Sequence, residues 1–165
     1  AKKLRFNTNL NYAWEQCEFK DLYQKATKKN DFTYGPDKII SVDNMYFKQD
    51  SYISKESYLL TYNIFDLGDI AFEGNKSKKF SYGRFVENTI GTGIVSHVFD
   101  VYSLKMNHYD LQFWKYAINN ERVMKDILIR CTKSSTMMTT LVANDFLKEK
   151  IRIPVYNEQR KIGLY

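Results

Sequence analysis

The first hundred residues consist of short β-prone apolar runs separated by polar turns. The clearest runs occupy residues 38–47, 69–72, 85–87 and 93–102. Two more extended pieces are predicted around Tyr52–Ile53 and Tyr58–Ile64, and residues 12–26 predict a short strand followed by a short helix. Asp43–Asn44 interrupts the first run and predicts a kink or bulge in its strand. This part of the chain is therefore expected to be rich in strands.

Helical spacing begins at Asp110, a residue type that often caps a helix amino terminus. Apolar residues then recur three, four or seven positions apart and predict one amphipathic helix: Leu111, Trp114, Ala117, Ile118, Met124, Ile127 and Leu128. The polar residues 119–122 predict a bend or a polar turn within that helix.

The last part of the chain predicts a loop, a short helix, a strand and the start of another helix. Residues 130–140 are rich in Ser and Thr and predict a loop, in which Met137 and Met138 are expected to pack inward. Asn144 is expected to cap one helical turn. A strand is expected over residues 151–155, with Pro154 as the residue that terminates it. Asn157 is expected to cap the final helix.

Strands come first and helices afterwards, an order typical of an α+β fold rather than of alternating βαβ units. The prediction is a strand-rich, twisted or barrel-like sheet with a few helices. The chain has 165 residues, enough for one domain with a full core, and only 2 Pro and 7 Gly, so no flexible linker divides it. One domain is expected over residues 1–156, followed by the beginning of a helix over 157–165.

Composition and charge narrow the class of partner. Hydrophobic residues make up 44% and charged residues 27% of the chain, which is ordinary globular usage and argues against disorder. The net charge of +6 indicates a polyanion or an acidic protein surface as partner. Cys17 and Cys131 stand in unrelated contexts, which predicts neither a disulfide framework nor a zinc site.

The predicted location is the cytoplasm. Residues 1–9 are polar and basic and lack the apolar segment of a signal peptide. No apolar run approaches the ~20 residues that a membrane span requires.

The sequence carries no positive sign of catalysis. It has neither a phosphate-binding P-loop nor a GxGxxG motif, and Gly91–Thr92–Gly93 predicts only a turn. His97 is expected inside an apolar strand and His108 in a loop, and neither has a Cys nearby at metal-ligand spacing. A Ser/His/Asp set can still assemble in space, although no nucleophile elbow supports one.

The segment Gly74–Arg84 is the strongest candidate for binding chemistry. It carries four positive charges and no acid, together with polar side chains: Asn75, Lys76, Ser77, Lys78, Lys79, Ser81, Tyr82 and Arg84. Lys and Arg neutralise DNA phosphates, while Arg pairs with guanine and Asn with adenine. The alternative is a solvated hairpin tip, with Arg84 held by a salt bridge to Glu87 or another acid.

A second candidate lies in the Ser/Thr-rich segment, whose hydroxyls suit phosphate oxygens and base edges. Its candidate residues are Thr132, Lys133, Ser134, Ser135 and Thr136. Hydroxyl side chains also fill ordinary loops, which is the alternative here. Asn44, on its kinked strand, and the basic cluster of Lys25, Lys28 and Lys29 are weaker candidates.

Several segments together resemble the target recognition domain of the specificity subunit of type I restriction-modification systems. They are residues 38–47, Gly-Asp-Ile-Ala-Phe-Glu-Gly-Asn-Lys at 68–76, Gly-Arg-Phe-Val at 83–86, Gly-Ile-Val-Ser-His-Val at 93–98, Ile-Arg-Ile-Pro at 151–154 and Glu-Gln-Arg-Lys-Ile at 158–162. The Ile-x-Ile-Pro strand followed by Glu-Gln-x-x-Ile is the most specific mark. The resemblance extends from Trp14 to the carboxy terminus.

The resemblance implies a domain without catalysis that reads one half of a split target in double-stranded DNA. By position, residues 75–84 match one DNA-facing loop and residues 132–136 match another, although Lys133 and Ser134 stand where the family often has glycine. Residues 157–165 correspond to the start of a spacer helix, and a second recognition domain is expected in the full-length chain.

The expected partners are the methyltransferase and restriction subunits. They modify adenine and cut DNA, and S-adenosylmethionine, ATP and Mg belong to those subunits only. A small DNA-modifying enzyme and a basic protein-interaction domain are the alternative functions.

Overall fold

The structure is a computed structural model that describes residues 14–49 and 55–164. Within these residues helices and strands occupy nearly equal shares, and the sheets do not close into a barrel. The predicted α+β class is therefore confirmed, whereas the barrel-like sheet is wrong. The extended piece predicted around Tyr52–Ile53, the polar segment 1–9 and Tyr165 lie outside the described residues.

The described ranges contain short strands and five α-helices. In chain order these are β1 (Glu15–Glu18), α1 (Phe19–Leu22), β2 (Tyr23–Lys25), β3 (Ile40–Ser41), β4 (Tyr46–Phe47), β5 (Asn63–Phe65), β6 (Ile70–Glu73), β7 (Arg84–Glu87), β8 (Gly93–Val95), β9 (Asp100–Leu104), α2 (Leu111–Ile118), α3 (Glu121–Cys131), β10 (Thr132–Ser134), β11 (Thr139–Leu141), α4 (Ala143–Lys148), β12 (Lys150–Ile153) and α5 (Tyr156–Gly163). Short 3-10 helices cover Pro36–Lys38 and Glu56–Thr61.

A four-stranded antiparallel sheet in the order β2-β9-β6-β7 forms the centre of the fold. The remaining strands described pair as antiparallel ribbons, β1 with β12, β3 with β4, β5 with β8 and β10 with β11. All four residues of β6 are buried, which explains why this strand has a continuous apolar run instead of an alternating one.

Aromatic side chains fill the core between the central sheet and the helices. The ring of Phe146 on α4 lies 4.6 Å from those of Phe19 and Phe85 and 5.1 Å from that of Tyr102. Trp114 on α2 is fully buried in the same cluster. The high aromatic content therefore serves packing to a large extent, since buried rings contribute large apolar areas.

Two β-hairpins replace elements that the sequence predicts differently. Residues 38–47 form β3, a turn over 42–45 and β4, so Asp43–Asn44 lies in a hairpin turn and is not a kink in one strand. Residues 132–141 form the β10–β11 hairpin instead of a loop. At its tip Met137 and Met138 are 75% and 48% exposed, which contradicts their predicted inward packing.

Other boundaries also differ from the predictions. The extended piece predicted at 58–64 is mostly the 3-10 helix Glu56–Thr61, which precedes β5. The run 93–102 is interrupted by a turn that carries the exposed His97 and separates β8 from β9. His97 therefore does not lie inside an apolar strand.

The predicted helix from Asp110 is two helices. The carboxylate of Asp110 accepts a hydrogen bond from the Phe113 N–H (2.9 Å), which confirms the predicted cap. Asn120 caps a second helix by accepting from the N–H groups of Arg122 and Val123. The caps of α4 and α5 are Val142 and Val155, so neither Asn144 nor Asn157 has its predicted role.

The Glu-Gln-x-x-Ile motif has a structural role in this fold. Gln159 of α5 is 3% exposed, and its amide donates to the carbonyl of Pro154 (3.0 Å). Its carbonyl oxygen accepts from the Asp110 N–H at the start of α2 (3.1 Å). One buried side chain thus joins the end of β12, the last helix and the helical half of the domain.

Among the described helices, none combines the length and the apolar character that crossing a membrane requires. Within the same residues, His, Cys, Asp and Glu side chains do not gather in any group of three that could hold a metal ion.

Candidate nucleic-acid interface

The two segments singled out in the sequence lie against each other. We call Gly74–Arg84 the basic loop and Thr132–Leu141 the hydroxyl hairpin. The N–H of Thr139 donates to the carbonyl of Gly74 (2.7 Å), and the N–H of Lys76 donates to the carbonyl of Met137 (3.2 Å). Asn75 and Met138 form an isolated antiparallel bridge. The hairpin therefore extends along the first residues of the basic loop in the manner of an added strand.

Lys76 ties the loop to the hairpin through its side chain as well. Its ammonium donates to the backbone carbonyl of Ser135 at 2.5 Å. Ser135 in turn closes the hairpin, because its N–H and its hydroxyl both donate to the carbonyl of Met138 (2.8 and 3.1 Å). Lys76 thus has a bracing role in addition to its charge.

Thr139 lies at the centre of the junction and is 3% exposed. Its hydroxyl oxygen is 3.1 Å from the carbonyl oxygens of both Gly74 and Tyr82, so it can donate to either end of the basic loop. A Cβ at Gly74 would collide with the Thr139 carbonyl. Gly83 has φ +78°, and a Cβ there would lie 2.8 Å from the Thr139 hydroxyl. Glycine at both loop ends therefore permits the close approach.

Arg84 is anchored at the base of the loop. Its Nε lies 2.9 Å from Oε2 of Glu73, its partner across the β6–β7 ladder, and its terminal nitrogen lies 3.7 Å from the Asp43 carboxylate. The guanidinium also covers the ring of Phe80 at 5.3 Å. The structural alternative foreseen for Arg84 is thus realised, with Glu73 and Asp43 as the acids instead of Glu87.

Glu73 also fixes Asn75. The amide nitrogen of Asn75 donates to Oε1 of Glu73 at 3.0 Å, so the carboxylate, 8% exposed, holds Asn75 and Arg84 at once. Asn75 itself is exposed. Glu73 does not bond the carbonyl oxygen of the Asn75 side chain or the second hydrogen of its amide group. These two groups therefore form an oriented amide edge for a ligand.

Asn44 joins the same region through its neighbour. It is exposed in the turn of the β3–β4 hairpin, beside Asp43, which contacts Arg84. Three elements that are distant in sequence therefore meet here: the turn at 42–45, the basic loop and the hydroxyl hairpin.

Most exposed side chains of the joined surface are cationic or hydroxylic, beside the amide of Asn75 and the apolar side chains of Met137 and Met138. The cationic and hydroxylic candidates that are exposed are Ser77, Lys78, Lys79, Ser81, Lys133, Ser134, Ser135 and Thr136. Neither the basic loop nor the hydroxyl hairpin contains Asp or Glu. Such a surface attracts anions, because its positive charges have no acid within either segment to offset them.

Three candidates are less available than the sequence suggested. The hydroxyl of Thr132 donates to the Leu128 carbonyl at the end of α3 (2.5 Å). Tyr82 is half-buried against the core, and Ser77 accepts the Phe80 N–H (3.0 Å), which shapes the loop tip. These side chains mainly define the form of the surface.

The basic cluster of Lys25, Lys28 and Lys29 has other neighbours. Lys25 lies 3.9 Å from Asp100, and Lys29 donates to the side chain of Asn63 (2.6 Å). Both contacts attach this cluster to β9 and β5 rather than to the basic loop.

Sequence reasoning missed Asp43, Glu73 and Thr139, which hold the surface together. For Glu73 a signal existed: it directly precedes the basic loop and Arg84 ends it, so a β6–β7 hairpin places the two side by side. Thr139 carries no comparable signal, since its partners Gly74 and Tyr82 lie 65 and 57 residues away.

No known family model matches the sequence, and no curated protein matches it either. The fold is similar to that in the crystal structure of the type I restriction-modification system S subunit from M. genitalium, with a TM-score of 0.57 and 14% sequence identity. The similarity covers 96% of this chain and 39% of the S subunit chain. This chain therefore spans about two fifths of the length of that protein, and the likeness shows a shared fold.

Proposed function

We propose that the chain is a sequence-specific DNA recognition domain that reads one half of the bipartite target of a type I restriction-modification complex. The observation that carries this proposal is the junction of the basic loop with the hydroxyl hairpin. Two segments far apart in sequence, neither of which contains Asp or Glu, form one cationic, hydroxyl-rich surface on a fold shared with an S subunit. Duplex DNA is the polyanion that such a surface suits, because phosphates supply affinity and base edges supply discrimination.

The proposed roles follow from how each side chain is held. Lys78, Lys79 and Lys133 are exposed and suit phosphate contacts. Asn75 is exposed but fixed by Glu73, so it suits a base edge, for which a defined orientation is required. Asn44 in the neighbouring turn is a second candidate for base contact, and Ser134, Ser135 and Thr136 suit either phosphates or bases.

Arg84 and Lys76 have a different role in this proposal. Each forms a contact inside the domain, to Glu73 and to Ser135 respectively. Their charge still contributes to the field of the surface, while their main effect is to keep the loop and the hairpin in register.

The domain would direct chemistry performed by other subunits. In this proposal it has no catalysis of its own, acts on DNA inside the cell and binds no cofactor. Partner subunits with S-adenosylmethionine methylate adenine, and a restriction subunit with ATP and Mg cuts unmodified DNA. α5 would begin a spacer helix, and a second recognition domain would read the other half of the target.

The first test is the salt dependence of DNA binding. Fluorescence anisotropy with duplex DNA is measured between 50 and 200 mM salt, where each neutralised phosphate contributes about −0.9 to the slope of log K against log salt. Lys78→Ala and Lys79→Ala are each expected to reduce that slope by about 1 on every sequence. Lys161→Ala on α5 removes the same charge outside the surface and is expected to leave the slope unchanged.

The second test concerns sequence choice. Asn75→Ala is expected to relax discrimination at one base pair, by about 1–3 kcal/mol if the contact is bidentate.

The proposal fails if the chain binds no DNA at low salt even with methylating subunits added. Binding to acidic proteins in place of DNA would favour the basic protein-interaction domain, and turnover of DNA by the chain alone would favour the enzyme.

A further inference from the structure

The tip of the hydroxyl hairpin presents a large apolar side chain to solvent. Met137 is 75% exposed, although Met is a residue type that usually lies inside. Its neighbour Met138 is 48% exposed. Exposed apolar side chains are common singly, so exposure alone indicates nothing. The surroundings of Met137 decide what it can contact.

The backbone under Met137 is braced on both sides. Its carbonyl accepts the N–H of Lys76 (3.2 Å), and the next carbonyl, that of Met138, accepts the N–H of Ser135 (2.8 Å). Thr139 then anchors the returning strand to Gly74 (2.7 Å). The tip is therefore held in place before any ligand arrives, which reduces the entropy lost on binding.

The environment of the tip is cationic. Lys76 donates to the adjacent Ser135, Lys133 lies on β10 of the same hairpin, and neither joined segment contains an acid. An exposed apolar side chain on a cationic, hydroxyl-rich hairpin matches a ligand with an anionic frame and an apolar group within it. Duplex DNA has this combination in its major groove, where the thymine C5-methyl group lies between phosphate backbones.

The shape of the element fits the same groove. β10 and β11 form a two-stranded ribbon, and the major groove of B-form DNA, about 12 Å wide, admits such a ribbon. We infer that the hairpin tip enters the major groove and that Met137 contacts the C5-methyl group of a thymine. Met137 thus contributes to sequence choice by an apolar contact. This inference rests on the proposed DNA-binding function and extends it to a further specificity residue.

The test removes one methyl group from the DNA at a time. Target duplexes are first selected with the 165-residue chain from a randomised pool by repeated binding. Each thymine of the selected site is then replaced by uracil, which deletes only the C5-methyl group. At one or two positions we expect the affinity to fall about four-fold, the effect of losing one buried methyl-sized group.

Variants assign the effect to Met137. Met137→Ser is expected to lower affinity for thymine DNA by a similar factor. In this variant, replacing thymine by uracil is expected to cause no further loss of affinity. Met137→Leu keeps an apolar tip and is expected to retain the thymine preference. Val98→Ser is the matched control, because Val98 is also an exposed apolar residue (68%) and lies in the turn between β8 and β9. It is expected to change neither the affinity for thymine DNA nor the effect of the uracil replacement.

The outcomes separate this inference from the proposed function. If no sequence is selected even with methylating subunits added, the DNA-recognition function itself fails. If a sequence is selected but lacks thymine, or every uracil replacement is silent, the role of Met137 is overturned while the function stands. Equal losses for Met137→Ser on thymine and uracil DNA overturn it as well. Unchanged DNA binding with loss of self-association would assign the tip to a protein contact instead.

Discussion

Glu87 provides the sharpest test of the packing, because a carboxyl group is buried in the core without compensation. It lies on β7 and is 3% exposed, and neither of its oxygens has a hydrogen-bond partner among the described residues. Burial raises its pKa to about 9, while the nearby Lys115 lowers it and Asp110 raises it. The Glu87 side chain is therefore neutral in the folded domain at pH 7.

The cost of that neutral state depends on pH. In the unfolded chain Glu87 ionises with its ordinary pKa of 4.5. Above that pH, folding must return a proton to the carboxyl group, and each further pH unit costs about 1.4 kcal/mol up to the folded pKa. Between pH 4.5 and 7 the penalty reaches about 3 kcal/mol, a large part of the 5–15 kcal/mol stability typical of a domain. Below pH 4.5 the penalty is absent.

Glu87→Gln removes the titration and keeps the size of the side chain. The free energy of unfolding relative to the wild type is expected to rise by about 3 kcal/mol between pH 4.5 and pH 7. Urea unfolding at half-unit pH steps measures it. The rise with pH tests the assignment, because burying an amide lowers the free energy of unfolding by an amount that does not change with pH. Glu15→Gln, at an exposed residue of β1, is the matched control for the loss of one carboxyl group. Parallel pH profiles for Glu87→Gln and the wild type would refute the assignment of a buried neutral acid.

Three further substitutions test single contacts by urea unfolding. Gly83→Ala forces a side chain into a left-handed conformation and is expected to cost about 1–3 kcal/mol. Thr139→Val keeps the shape but removes the hydroxyl between Gly74 and Tyr82, at a cost of about 1 kcal/mol, and is expected to weaken DNA binding too. Asp110→Ala removes the cap of α2, at a cost of about 1 kcal/mol. An unchanged unfolding midpoint for any of them would contradict the contact assigned to that side chain.

Elements with a strong local signal were predictable. β6 is a short apolar run that the sheet buries completely, and Asp110 caps α2 as its residue type and position indicate. The last strand and the helix after it were also found, because Pro154 ends the one and the polar Asn157 marks the start of the other, although Val155 and not Asn157 is the cap. In each case residues adjacent in sequence carry the signal, although the strands complete their pairing with distant partners, β12 with β1 and β6 with β9.

Elements that depend on distant partners were not predictable. The segment 58–64 contains the β-prone residues Tyr58, Thr61, Tyr62 and Ile64, and yet most of it belongs to the 3-10 helix Glu56–Thr61, so tertiary context outweighs its intrinsic preference. Met137 and Met138 were expected to pack inward because they are apolar. The structure exposes them because their hairpin lies along the basic loop, with the tip beyond the core.

The candidate site was partly predictable for the same reason. Charge and composition alone single out the basic loop and the Ser/Thr-rich segment. That Lys76 braces the hairpin, and that Arg84 is held by Glu73 and Asp43, follows only from contacts across 59, 11 and 41 residues. The candidate segments are therefore easier to single out from the sequence than the residues that orient them.

The junction between the basic loop and the hydroxyl hairpin limits how this domain can acquire a new target. Exchange of residues 74–84 alone for a segment without glycine at 74 and 83 would create clashes with Thr139, and exchange of 132–141 alone for a segment without Thr139 would remove the hydroxyl that bonds both ends of the basic loop. Grafting experiments should therefore move both segments together.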